Sequence, residues 1–249
     1  MIGLFAQLPY FCSSLTFLLQ IFERNMDDQQ LRKLAPWAGI ATCSLLYIVI
    51  IITAIPFHGQ QGQSYSILNH FISELGSFNY SDYHRVYNTG LIIAACGFGI
   101  FIYGIKTYST TKHTRNGMAV GLLSSALCVG VGLVPEDYRF PHLILALSFF
   151  SMMTVATAFF AWSIWKEKEN PFPNYLAIHG FLVPISFTLF MMMPKGLMAV
   201  KRVQGAAFER PLIWWLPFLE WIIFFTFTSW IINMSIGMLR MQRAEKIKA

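Results

Sequence analysis

The sequence predicts an all-α integral membrane protein, a bundle of six transmembrane helices that an N-terminal hydrophobic segment would extend to seven. Three observations carry this expectation. Of the 249 residues 55% are hydrophobic, and mean hydropathy is +0.52. Only 12% are charged, against the roughly 25% usual in soluble domains. The charges also gather in clumps between long apolar runs, as in chains that cross a bilayer repeatedly. A helical span takes about 20 residues, so 249 residues hold six or seven spans with short links and leave no room for a separate soluble domain.

The spans are expected at 35–57, 87–108, 117–135, 142–165, 175–197 and 212–239. Residues 1–34 read as an N-terminal hydrophobic segment with a short charged linker, 35–239 as the transmembrane domain and 240–249 as a basic cytoplasmic tail. Residues 1–22 are uncharged, yet Gln7, Pro9, Ser13, Ser14, Thr16 and Gln20 dilute the run, and no basic stretch marks a signal peptide. Whether that segment spans the membrane, lies in its plane or precedes a true start at Met26 stays open. On the third span Gly117, Gly121, Ser124, Ser125, Gly130 and Gly132 make a smooth surface that lets a neighbouring backbone approach. This predicts a central helix. Gly90, Ala94, Ala95 and Gly99 do the same for the second span.

Loop charges set the expected orientation. With residues 23–34 inside, twelve of the 18 Lys and Arg residues fall on that side and six on the other. The C-terminus is then cytoplasmic, and the cell membrane is the expected location. The net charge of +6 does not indicate a nucleic-acid partner, because the basic residues are spread over loop after loop. Cys12, Cys43, Cys96 and Cys128 lie in apolar runs without CxxC spacing and read as small buried hydrophobes. No cofactor and no metal site is expected.

The loops expected outside hold the unusual polar residues. In the first, Leu68, Phe71, Ile72 and Leu75 fall on one helical face, and Ser66, Asn69, His70, Ser73 and Glu74 on the other. The pattern predicts a short amphipathic helix at the interface, ended by Gly76. Glu74 in its last turn opposes the helix dipole, so helix stability does not account for it. The third loop, 135–142, packs Glu136, Asp137, Arg139 and His142 between Pro135 and Pro141. Its acids and Arg139 are expected to satisfy one another, and His142 at a helix start is expected to stay neutral. In the fifth loop Glu209 and Arg210 precede Pro211, and Trp214 and Trp215 mark the interface. Glu220 is the one clear acid within a span, about 10–15 Å deep at 1.5 Å per residue. Such an acid normally faces the bundle interior with a partner, here Arg210, Lys195, His142 or the Asn69 and Ser73 face. His179 reads as a helix-to-helix hydrogen-bonding group.

The run Asn69-His70-x-x-Ser73-Glu74-Leu75-Gly76, the opening Tyr87-Asn88-x-Gly90-Leu91 and the element Gly132-x-x-Pro135-Glu136-Asp137 with His142 following resemble one family. These motifs are similar to those of the polytopic membrane proteins of domain of unknown function 998, and more distantly to DRAM-type membrane proteins. The resemblance covers about 35–239. Glu74 stands where Asp is expected in many relatives, and Glu209-Arg210 resembles the polar pair before the last span. The resemblance implies six helices with the marked residues on one face, and it carries no established activity.

Three classes of function stay open. The first is a protein binding a lipid headgroup or small amphiphile in an outer-facing pocket lined by Asn69, His70, Ser73, Glu74, Glu136, Asp137, Arg139, His142, Arg210 and Glu220. Its partners are then membrane lipid and that ligand. A membrane-embedded metal-dependent hydrolase is the second, although no HxxxH or HExxH pair supports it. A proton-coupled transporter using Glu220 is the third, without the inverted repeat such proteins often carry.

Overall fold

The computed structural model describes residues 27–59, 62–193 and 210–248. The N-terminal segment 1–22, Cys12, Lys195 and Glu209 lie outside the described residues. Six helices are each long and apolar enough to cross a membrane. They are α1 Asp28–Ala54, α2 His84–Gly104, α3 Lys112–Leu133, α4 Arg139–Lys166, α5 Tyr175–Met192 and α6 Trp215–Lys248. Two short 3-10 helices accompany them, Ile72–Gly76 between α1 and α2 and Ile105–Thr107 after α2. The described residues contain no strand.

The helix ends run past the apolar spans. α1 starts at Asp28, seven residues before the expected 35, because Asp27 and Gln30 close a capping box that satisfies two orphan amides. Gln30 N donates to Asp27 Oδ1 at 2.6 Å and Asp27 N to Gln30 Oε1 at 3.3 Å. α6 continues through 240–248, the stretch expected to be a tail. Pro184 sits inside α5 without ending it.

Each helix packs on its sequence neighbours, and α6 closes against α1, so the six form a ring. The expected central third helix is therefore not central: α3 packs between α2 and α4. Its small residues do serve close approach. A side chain at Gly132 would meet the backbone of Asn88 in α2 at 3.0 Å, and one at Gly117 the carbonyl of Ala156 in α4 at 3.2 Å. The middle of the ring is filled chiefly from α6. Trp230 is fully buried, with its ring 5.8 Å from Phe160 of α4 and 6.5 Å from Phe101 of α2, and Phe227 lies edge-on to Phe98 at 5.1 Å. His179 of α5 meets Ser229 of α6 at 2.8 Å, the helix-to-helix bond the sequence suggested.

The ring has two polar ends. At the tail end, where α1 begins and α6 finishes, Arg32 stacks 4.1 Å over Tyr108 and bonds to Thr107 O and to Glu245. Gln242 Nε2 donates to Arg32 O at 2.7 Å, so the first and last helices are joined there. At the opposite end the loop between α1 and α2 folds inward over the ring.

Candidate functional site

The segment 66–76 does not form the expected amphipathic helix at the interface. It turns at Ser66–His70 and makes a five-residue 3-10 helix at Ile72–Gly76. His70 and Glu74 are each only 2% exposed. An interfacial helix would have left its polar face wet. Here the segment turns inward onto three sets of buried partners. Gly76 lies within the 3-10 helix rather than ending an α-helix, and its lack of a side chain admits Asn88, whose Nδ2 donates to Gly76 O at 2.9 Å.

Arg210 supplies the first partner. Its two terminal nitrogens grip Glu74 at 2.9 and 2.6 Å, and one also donates to Asn69 O at 2.8 Å. The paired side chains are 15% and 3% exposed, a fork geometry that suits guanidinium and carboxylate. Glu74 also accepts Phe71 N at 2.9 Å, which caps the 3-10 turn. Asn69 Nδ2 reaches Pro211 O at 3.0 Å, and Trp214 N reaches Leu68 O at 2.9 Å.

Glu220 comes from α6. Because that helix starts at Trp215, Glu220 lies in its second turn, about 7.5 Å from the start at 1.5 Å per residue and shallower than expected. Its partner is none of the expected side chains. Oε2 accepts the backbone N–H of Ile72 at 2.9 Å. The next residue on α6, Trp221, donates from Nε1 to His70 O at 3.2 Å.

The loop 134–138 gives the third set. Ser73 Oγ donates to Glu136 at 3.3 Å, and Asp137 accepts from Ser77 Oγ at 2.7 Å, Phe78 N at 2.9 Å and Asn79 Nδ2 at 2.5 Å. These acids therefore hold the first loop and do not pair with Arg139. Arg139 is exposed and belongs to no described ion pair, so it leaves the site. His142 stays in it, buried near the start of α4, with Nδ1 donating to Val134 O at 2.6 Å.

Burial, then the neighbouring charges of Glu74 and Glu220, push the Glu136 carboxyl up to about 8, outweighing the help of Ser73. Burial, assisted by the positive charge of Arg210, pulls His70 down to about 4, so its ring is neutral. His70 Nδ1 accepts from Ser66 N at 3.2 Å, which leaves the proton on Nε2. That N–H is buried without a partner among the described residues, as are Asn69 Oδ1 and Ser81 Oγ. The ring packs 5.2 Å from Tyr65 and edge-on to Phe57 at 5.3 Å.

Directly beneath the folded-in loop lies a cavity of about 90 Å³ inside the helix ring. Its walls come from α1, α2, α3, α4 and α6 and are almost wholly apolar. Ile72 and Ser73 form its roof, and Tyr87 and His142 belong to its wall. The sequence puts Ser73 and His142 among the candidate site residues and Tyr87-Asn88 only in the family motif, and it singles out neither Ser77 nor Trp221. Tyr87-Asn88 stood at a helix start, where one turn of helix reads equally as packing. On α4 the eight residues 145–152 are all half-buried, so no face of that stretch is fully covered. Among the described residues no three His, Cys, Asp or Glu side chains are grouped to hold a metal ion.

Residues 40–236 match the model of the family described as "Protein of unknown function (DUF998)". The chain belongs to this family. The match takes in α2 to α5 whole, parts of α1 and α6, the folded-in loop and every candidate residue. Neither a curated protein nor a solved structure matches the chain. The DUF998 match and the six apolar helices together make it a multi-pass integral membrane protein.

Proposed function

We propose that this DUF998 protein binds a small membrane amphiphile, with the headgroup at the polar roof and the tail in the apolar cavity. One observation carries the reading: a single cavity has an apolar wall and a roof built from a loop that buried charges hold in place. A loop needed only to connect two helices has no reason to bury Glu74 and Glu220, since desolvating a charge costs several kcal/mol even when it is paired. Fixed polar groups over an apolar slot are the usual plan of a small-molecule site. The half-buried stretch 145–152 gives the tail a way in from the lipid.

The same proposal puts the folded-in loop at the outer leaflet of the cell membrane and the C-terminus in the cytosol, on the strength of the Lys and Arg bias. Cysteine labelling from either side of intact cells checks this arrangement. For binding itself, lipids carried by gently purified protein are compared between the wild type and Ala146→Phe, which fills the cavity from α4. The reading predicts one species enriched over bulk lipid in the wild type and lost in the variant. Bulk composition in both contradicts it.

A further inference from the structure

The reading of the cavity as an amphiphile site leaves the chemistry of the headgroup open, and the polar groups at the roof select it. His142 is 8% exposed and lines the cavity. Its Nδ1 faces a carbonyl oxygen, which only accepts, so in the neutral ring the proton is fixed on Nδ1 and Nε2 is a bare acceptor. Nothing among the described residues bonds to that Nε2. Tyr87 is 5% exposed, lines the same cavity, and its hydroxyl makes no described hydrogen bond. Two side-chain polar atoms with no described partner, on residues that line one cavity, point to a ligand.

Charge narrows the class. Glu74, Glu136 and Glu220 surround Ile72 and Ser73, and one cation, Arg210, faces them. Both terminal nitrogens of Arg210 are already taken by Glu74 and Asn69 O, and none of the three residues lines the cavity. Among the described residues no second cation pairs with this cluster, so a phosphate or a carboxylate meets net negative charge there. The raised Glu136 carboxyl reports the same negative surroundings. Size narrows it further: 90 Å³ is smaller than the roughly 150 Å³ that holds a benzene ring, so the cavity takes the first few carbons of one alkyl chain and has no room for a second.

We infer that the ligand is a single-chain amphiphile whose head is an uncharged or cationic hydrogen-bond donor, a hydroxyl or an amine. The head donates to His142 Nε2 and to the Glu136 carboxyl, with Tyr87 completing the contact. Anionic heads are refused.

The test uses the full chain in nanodiscs and four probes of one chain length: decanol, decylamine, decanoate and decyl phosphate. Titration calorimetry gives their affinities. Decanol and decylamine are expected to bind about tenfold or more tighter than the two anions, the scale of one buried hydrogen bond made or lost. His142→Phe removes the acceptor and costs decanol about tenfold. Tyr87→Phe, a gentler change, costs it several-fold and serves if the first variant does not fold. Above pH 8, where the Glu136 carboxyl is ionised, Glu136→Gln removes a negative charge and erases much of the discrimination against decanoate, which a purely structural residue would not do. Anions binding as tightly as decanol overturn the headgroup assignment while leaving the cavity as an amphiphile site. If none of the four binds, both readings fall.

Discussion

Two glutamates sit at opposite ends of the helix ring and are pushed in opposite directions. At the tail end Glu167 is held down to about 2. Burial pushes it up, but hydrogen bonds from Ser163, Thr111 and His113 outweigh this. His113 Nδ1 lies 2.9 Å from it, and Thr111, Thr114, Ser109 and Asn170 interlock with Ser163 at 2.7 to 3.4 Å around it. At the loop end Glu136 rises to about 8 among other acids. Glu167 at the tail end therefore has enough donors, which is how a structural tie is built. The loop end has more acid than donors and keeps polar atoms at His70, Tyr87 and His142 that have no partner among the described residues. That imbalance is expensive for folding and is the mark of a site whose last partner comes from elsewhere.

Several substitutions test this contrast. The largest effect is expected for Arg210→Met, which strands the Glu74 charge in a buried place. Removing one partner of such a pair costs about 3–5 kcal/mol, read as a fall in the unfolding midpoint in detergent. The double variant Arg210→Met with Glu74→Met recovers most of the loss. A single variant no weaker than the wild type would break the account of the loop end.

Glu136→Gln comes next and carries a sign. The folded pKa of about 8 lies above the ordinary 4.5, so folding is unpenalised below 4.5 and stability is lost as pH rises through about 8. The variant should gain on the order of 1–2 kcal/mol over the wild type above pH 8 and nothing near pH 4. Glu167→Gln carries the opposite sign. The folded pKa is lowered to about 2, so the wild type holds an advantage above 4.5 that vanishes as pH falls through about 2. This pair is partly exposed, and the advantage should stay under about 1 kcal/mol. Thermal unfolding across pH measures both. Shifts of the same sign at the two ends would remove the distinction.

Much of this was legible in the residues and some was not. Hydropathy located the six spans, because a bilayer demands length and apolar character from each helix whatever its neighbours. It missed the helix ends, since Asp28, Arg32 and Lys33 look like linker until the Asp27 and Gln30 cap is noticed. The acids Glu74, Glu136 and Glu220 and the cation Arg210 stood out because charges are rare in this chain. Their pairing did not, because it joins residues as far apart as Glu74 and Arg210, and one chain carries no signal for such contacts. The helical periodicity of 64–76 misled for a physical reason: over so few residues, a polar face turned to water and one turned to buried partners have the same spacing. Arg139 was grouped with its neighbours by proximity in sequence, whereas the acids beside it reach across to Ser73 and Ser77.

The central claim is that the loop end takes a ligand and the tail end only holds the ring together. Mass spectrometry of the lipids retained by the wild type, Ala146→Phe and Glu167→Gln tests it most directly. The account predicts one enriched single-chain species in the wild type, retained in Glu167→Gln and lost in Ala146→Phe. Equal lipid content in all three, matching the surrounding membrane, would contradict it.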